Sequence, residues 1–361
     1  MIAEQPLDTA GVRRNSPLAA FQDGLEHRLS ALLELPDEQA IDARWSKAAD
    51  VLRAYALRPA KRVRPTLLVT GWSLAARAPV EAVPEGVASF AAALELLHTF
   101  MLIHDDVADR AVTRRGGAAL HRLLAESSAK TGDDLAVIMG DHLFSRAVEV
   151  MLSSGAPLAG EATRYMMAVC RQTAVGQYLD LELSRTPLGE VNLFQTLKVA
   201  HLKTARYGFV APLVVGAMLG GAEAGGELLS GLERVGRAAG MAFQLRDDLL
   251  GLFGVDVVSG KEGGADFFEG KRTFPVIAGW TRSTSEGRER LESLWHSCVR
   301  AEGTLGLARH ELELSGGKAA TERVIERMTR SARKSLEALP TAHGAREVLD
   351  GLLSKMVRRT A

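Results

Sequence analysis

The segment Leu94–Arg115, reading LELLHTFMLIHDDVADRAVTRR, constrains this chain more than any other. It opens as an apolar helix and then presents Asp105, Asp106 and Asp109, followed by Arg114 and Arg115. Residues four apart share a helix face, so Asp105 and Asp109 are predicted to stack one turn apart, with His98 and Met101 lower on the same face. Three carboxylates this close repel one another and are costly to desolvate unless a cation sits between them. Carboxylate oxygens suit a hard ion such as Mg²⁺, which keeps several waters and binds substrate phosphate. One reading is a metal–diphosphate site at the end of a buried helix; the other is an acidic surface turn capping a core helix. Two observations favour the first. The run before the acids is too apolar for a surface helix. A second acidic pair, Asp247 and Asp248, follows another apolar helix at FQLRDDLLG.

The charge balance narrows the partners. Lys+Arg and Asp+Glu both number 44 in 361 residues, so no net field draws the chain to nucleic acid or to an anionic membrane. With 47% hydrophobic and only 5% aromatic residues, and Ala and Leu abundant, helix is favoured over sheet. Cys170 and Cys298 lack metal-ligand spacing and read as reduced thiols. The first twenty residues have no signal-type apolar core. The longest apolar run, Phe209–Ala222, is broken by Pro212 and glycines and is shorter than the ~20 residues a span needs. The expectation is a cytoplasmic chain without a membrane span.

In chain order, residues 1–16 read as a disordered tail and 17–361 as one all-α domain, a multi-helix bundle. Outer helices are expected from Pro17 through Leu32 and over 42–56. Lys61, Arg62 and Arg64 then precede a helix starting near Pro65. Cations oppose the dipole there unless an anion binds, the alternative being an ordinary solvated basic loop. Further helices are expected over 66–76, 87–110, 135–152, 161–183, 193–209 and 228–250. Asp141, within the fifth of these eight, reads as a hydrogen-bonded core polar residue. Gln177 and Asp180 lie about one turn apart. Lys203 on a mostly apolar helix either meets an anion or snorkels to the surface. Gly254–Thr273, rich in glycine and charge, reads as a mobile loop offering Lys261, Lys271 and Arg272. From Pro275 onward the pattern is helical, with no clear site. The two acid-bearing helices could face each other across the bundle, where carboxylate metal sites are often built.

The ordered set DDxxD (Asp105–Asp109), RRG (Arg114–Gly116), KT (Lys203-Thr204), FQLRDD (Phe243–Asp248) and GKRT (Gly270–Thr273) resembles the trans-isoprenyl diphosphate synthase family over about residues 20–350. The resemblance implies an all-α bundle around a deep central cavity, in a homodimer, that joins an allylic diphosphate to isopentenyl diphosphate with three Mg²⁺ ions. It implies that Asp105, Asp109 and Asp247 ligate the metal, with Asp106 and Asp248 in support. Arg114, Lys203, Lys261 and Lys271 would hold the allylic diphosphate, with Gln244 nearby. Lys61, Arg64, His98 and Arg115 would hold isopentenyl diphosphate. Gln177 and Asp180 would support these groups from behind. Thr204 and the carbonyl near Lys203, at a bend in the helix, would stabilise the allylic cation, and the departing diphosphate would take the proton.

Product length in such enzymes is set by the cavity depth below the first aspartates. Phe100 and Met101 stand five and four residues before Asp105, a pattern that resembles the geranylgeranyl (C20) type. On a helical wheel Phe100 lies ~140° from Asp105, and Met101 is the more direct floor, so farnesyl (C15) stays open. Two departures stand out: Gly251 replaces the usual third aspartate of the second motif, and AKRVRP replaces GGKxxRP. A terpene cyclase would not need Lys61, Arg64 and Arg115. A non-catalytic partner subunit has only Gly251 in its favour. A metal phosphohydrolase suggested by His104-Asp105 lacks a companion His/Asp set.

Overall fold

A computed structural model describes residues 18–125, 128–254, 264–297, 303–340 and 343–357. The expected tail at 1–16, Lys261 and Cys298 lie outside these residues. The described chain is helical: α1 (Ala19–Leu32), α2 (Pro36–Gln39), α3 (Ala43–Ala56), α4 (Val63–Ala76), α5 (Glu85–Ala108), α6 (Leu120–Leu123), α7 (Ala129–Ser153), α8 (Ala159–Leu183), α9 (Leu193–Val199), α10 (Ala211–Leu219), α11 (Glu227–Phe253), α12 (Ala265–Phe268), α13 (Phe274–Arg282), α14 (Ser285–Ser297), α15 (Thr304–Leu314), α16 (Gly317–Glu337) and α17 (His343–Val357). The strands among the described residues are two-residue pieces, β1 (Thr113–Arg114) and β2 (Gly117–Ala118), paired antiparallel.

Helix α5 is the centre because nearly every side chain from Val87 to Leu97 is apolar and buried. By length and composition it could cross a membrane, yet most of its apolar window is buried against other helices. It packs on α7, α4 and α1, while α4 packs on α10 and α11 packs on α16. Around Trp295, Ile277 and Leu312 the helices from residue 274 onward share a further core with Leu188, Val191, Leu252 and Phe267.

One helix start matches expectation and one differs. Helix α3 is capped by Asp42, whose carboxylate accepts the Arg44 N–H at 2.7 Å. Helix α4 begins at Val63 rather than at Pro65. Arg62 adopts φ 43° and turns the chain early, and proline remains tolerated because the first four N–H groups of a helix have no intrahelical partner. Asp141 was expected in the core and is instead on the exposed face of α7, with His104 Nε2 at 3.5 Å.

The expected bend near Lys203 is a π-helical stretch, Ala200–Val210, inserted between α9 and α10. It nests between α8 and α11 because both present glycine to it. A Cβ on Gly176 would stand 2.6 Å from the Lys203 nitrogen, and one on Gly240 would stand 2.6 Å from Ala205 Cα. Such widened turns are rare and are frequent at functional sites.

Candidate active site

A cavity of about 1120 Å³ runs down the bundle, bounded by α4, α5, the β-hairpin, α7, α8, the π stretch, α11 and residues 265–274. That is above the upper end of the ~300–1,000 Å³ typical of small-ligand pockets, so two substrates can share it. Asp105 and Asp109 reach it from α5, and Asp247 and Asp248 from α11, so both acidic motifs open on the same space. Lys203, Thr204 and Tyr207 project into it from the π stretch, the first two lying four and three residues before Tyr207.

The lysines and carboxylates are already interlocked. Lys203 Nζ lies 3.2 Å from Asp105 and 2.9 Å from Asp180. Lys271 Nζ lies 2.8 Å from Asp109 and 3.1 Å from Asp180. Burial alone would push the Lys203 ammonium down, but Asp105 and Asp180 outweigh it and hold it above its ordinary value. Burial would likewise raise the Asp180 carboxyl, yet Lys203 and Lys271 hold it below. Lys203 therefore neither snorkels nor stays unpaired; it stands between two acids.

Lys271 was expected on a mobile loop. From residue 264 the chain is instead ordered. Helix α12 precedes a turn in which Lys271 and Arg272 are buried at 7% and 9% exposure. Trp295 Nε1 donates to the Lys271 carbonyl at 3.1 Å, and Arg272 Nε donates to the Thr186 carbonyl at 2.9 Å.

The middle aspartate is not a cavity ligand. Asp106 is 0% exposed and accepts Arg114 Nε at 2.7 Å and the Tyr55 hydroxyl at 3.1 Å. One residue on a helix is a 100° rotation, which turns Asp106 towards α3 while Asp105 faces the cavity. It is removed from the expected metal set and becomes the anchor of Arg114. That arginine enters the cavity from β1, and the hairpin turn behind it has Arg115 at φ 53° and Gly116 at φ 73°, both positive as a type I′ turn requires.

Arg115, Arg64 and His98 form a second basic group on the cavity wall. Arg64 Nη1 donates to His98 Nε2 at 2.9 Å, and its guanidinium lies 5.1 Å from the Tyr207 ring centre. Burial and the surrounding arginines hold the His98 imidazole well below its usual value, so it is neutral. Glu95, 2% exposed, bridges Arg115 at 2.9 Å and Arg62 at 2.8 Å. Arg62 also reaches Glu26, so it serves this bridge rather than a ligand. Lys61 does not line the cavity; it is exposed just before α4.

On the second acidic wall Gln244 connects two groups. Thr204 Oγ1 donates to Gln244 Oε1 at 2.5 Å, and Gln244 Nε2 donates to Asp248 Oδ1 at 2.7 Å. Burial pushes the Asp248 carboxyl well up, and Asp266 adds to the rise. Asp266 also lines the cavity. Its carboxylate lies against Gly251, where a Cβ would stand 2.3 Å from Oδ2. Gln177 lines the cavity directly, with both amide atoms buried and without a hydrogen bond, so it does not act from behind. Asp180 lines the cavity as well and pairs with both lysines.

The apolar depth is lined by Phe100, Met101, Phe144, Met167 and Cys170. Phe100 packs on His104 at 4.6 Å and on Phe144 at 5.2 Å between ring centres. Phe100 thus reaches the cavity despite its position on the wheel. Burial pushes the Cys170 thiol up to about 12, so it is inert lining.

Sequence reasoning missed Tyr207, Phe144, Asp266, Tyr55 and Glu95. Tyr207 was accessible, since it follows Lys203 and Thr204 at helical spacing. The others come from elements whose contact no local pattern announces.

Among the described residues no three His, Cys, Asp or Glu side chains form a closed metal cage. Carboxylates spread over two walls fit an oxygen-seeking ion that takes one or two of them and completes its shell with phosphate and water.

Residues 46–305 match the profile of the polyprenyl synthetase family. The short chain isoprenyl diphosphate synthase of Methanothermobacter thermautotrophicus is 33% identical over 293 residues, 80% of this chain and 83% of that protein. The (2E,6E)-farnesyl diphosphate synthase of Mycobacterium tuberculosis is 33% identical over 264 residues, 72% of this chain and 68% of that protein. The structure also superposes on a crystal structure of geranylgeranyl pyrophosphate synthase from Corynebacterium glutamicum, complexed with isoprenyl diphosphate and magnesium. The TM-score is 0.84 at 28% identity, over 95% of this chain and 99% of that one.

Proposed function

The chain belongs to the polyprenyl synthetase family, and from that membership we propose a Mg²⁺-dependent trans-prenyltransferase that condenses an allylic diphosphate with isopentenyl diphosphate to geranylgeranyl diphosphate (C20). The observation that carries the reading is the pairing, in one cavity, of a carboxylate–lysine wall with a separate Arg64–His98–Arg115 group. One diphosphate would need only the first; two substrates need both.

Asp105, Asp109 and Asp247 would hold Mg²⁺, with three ions as the expected count, and the metal would neutralise charge developing on the departing diphosphate. Arg114, Lys203 and Lys271 add positive charge to the same group, and Lys261 is expected with them. Arg64 and Arg115 would grip isopentenyl diphosphate, with neutral His98 as a hydrogen-bonding partner and Lys61 at the margin. Thr204 offers oxygen lone pairs to the allylic cation. The apolar lining excludes water that would otherwise quench it to an alcohol. The proton lost after carbon–carbon bond formation passes to the released diphosphate, so no side-chain base is required.

Phe100, backed by Phe144, supports the C20 limit. Met101 lines the cavity one position nearer the aspartates, and a stop there would give C15. Exposed Leu135, Ile138 and Leu152 on α7, with Val175 and Tyr178 on α8, suit a face covered by a second copy of the chain. Light scattering of the purified protein tests the homodimer.

The deciding experiment incubates the protein with Mg²⁺, isopentenyl diphosphate and, separately, C5, C10 and C15 allylic diphosphates, and sizes the dephosphorylated products by mass. A dominant C20 alcohol is expected. C15 would keep the transferase and discard the Phe100 floor, and no elongation from folded protein would overturn the reading.

A further inference from the structure

Threonines within the helices of this chain commonly give their hydroxyl hydrogen to the carbonyl four residues back, as Thr66, Thr70, Thr99 and Thr163 do. Thr204 does not. From the π stretch it donates across the cavity wall to Gln244 Oε1 on α11, at 2.5 Å. Gln244 cannot choose its orientation freely, because its amide nitrogen is engaged by Asp248 Oδ1 at 2.7 Å, one helical turn away. The nitrogen and oxygen of one amide point in opposite senses, so with the nitrogen on Asp248 the oxygen faces Thr204. The Thr204 hydrogen is thereby drawn to Gln244, and what Oγ1 retains for the cavity is lone pairs.

The two aspartates of the second motif divide accordingly. Asp247 is exposed to the cavity, whereas Asp248 is only 6% exposed and tucked beside Gln244. We propose that Asp248 is a positioning residue and not a cation ligand: through Gln244 it fixes the direction of the Thr204 hydroxyl dipole, keeping its negative end towards the reacting carbons. A preorganised dipole helps only if its sign matches the charge that develops. Positive charge appears on the allylic carbons as the carbon–oxygen bond to diphosphate breaks with both electrons. An oxygen lone pair favours that change, and an inward O–H hydrogen opposes it. Asp248 sets which of the two the cavity meets.

This inference rests on the prenyltransferase reading, and the test separates them. Asp248→Asn keeps an acceptor oxygen at the same place, and Asp248→Leu keeps the volume without one. Kinetics should show D248L losing kcat by ~100-fold, the low end of the ~10²–10³ for loss of one oriented group, with KM for both substrates little changed and D248N recovering most of that loss. The double variant D248L/T204V should be no slower than T204V alone, since both interrupt one relay. Should D248L fail to fold, Gln244→Leu breaks the same relay and should match T204V. Independently of turnover, the rise in melting temperature that Mg²⁺ plus inorganic pyrophosphate gives the wild type should persist in D248N and D248L. D248N as slow as D248L, with a higher Mg²⁺ requirement or a lost thermal shift, would make Asp248 a cation ligand and overturn the proposal. Strict additivity of D248L and T204V would also overturn it. A wild type without any elongation activity would sink the functional reading, while the thermal-shift comparison would still report whether Asp248 touches the cation.

Discussion

Replacing Glu95 by glutamine should loosen the fold and bare the second basic group in one step. Arg62 Nη1 and Arg115 Nη2 both donate to the same Glu95 oxygen, at 2.8 and 2.9 Å. The side chains are 3%, 11% and 2% exposed for Arg62, Arg115 and Glu95, so water cannot replace the lost charge. Breaking a buried pair by neutralising one partner costs about 3–5 kcal/mol. The lower end applies here, because Arg62 keeps Glu26 at 2.8 Å and Arg115 borders the cavity. At about 2 °C per kcal/mol for a large domain, ~3 kcal/mol lowers the melting temperature by roughly 6 °C. A bound anion restores the missing charge to Arg115. The rise in melting temperature on adding inorganic pyrophosphate without metal should therefore be larger in E95Q than in the wild type. Calorimetry or dye-based melting of both proteins, with and without pyrophosphate, reads both effects. Unchanged melting, or a loss that pyrophosphate repairs no better than in the wild type, would refute the bridge.

Phe100→Ala should lengthen the dominant product by at least one C5 unit in the mass assay; an unchanged product would remove Phe100 as the floor. Gly251→Asp restores the third aspartate of the second motif yet should cost about 1–3 kcal/mol of stability, as overpacking does, because its Cβ would meet Asp266 Oδ2 at 2.3 Å. Adding Asp266→Ala should recover the melting temperature, and a fully stable G251D would contradict that packing. His98 is held neutral well below its ordinary value of 6.5, so below that pH the unfolded chain binds a proton that the native chain does not. Stability should thus fall as pH drops from about 6.5, and His98→Gln should make the fall shallower in melting curves across pH 5 to 7. Equal slopes would exclude His98 as the source.

Much of the site could be read locally. The apolar run into DDxxD and the second run into Asp247 and Asp248 sufficed to suggest two acidic walls on facing helices, and both line one cavity. What escaped was what a neighbouring element decides. Asp106 and Asp105 are adjacent in sequence, but only the presence of Tyr55 on α3 and Arg114 on β1 explains why Asp106 turns inward to the protein. The glycine-rich composition around Lys271 suggested mobility, and the Trp295 indole pinning its carbonyl from α14 was invisible from there. The hairpin at Arg114–Gly117 is too short for an alternating pattern. The π stretch depends on glycines of two other helices, Gly176 and Gly240, that no local propensity connects to it.

The interlocked carboxylates and lysines carry a consequence for the order of events. Asp105, Asp109 and Asp180 already neutralise Lys203 and Lys271, so a cation arriving alone must displace ammonium groups and leave them without counter-charge. A diphosphate arriving alone must likewise pull the lysines from their acids and leave those acids bare. Arriving together, they exchange partners, acid to metal and lysine to phosphate, and no buried charge is stranded. Each should therefore tighten the other's binding by the same factor, a reciprocal coupling for which about 1–3 kcal/mol is typical. The carboxylate–lysine wall behaves as an AND gate, answering the pair more strongly than either ion singly.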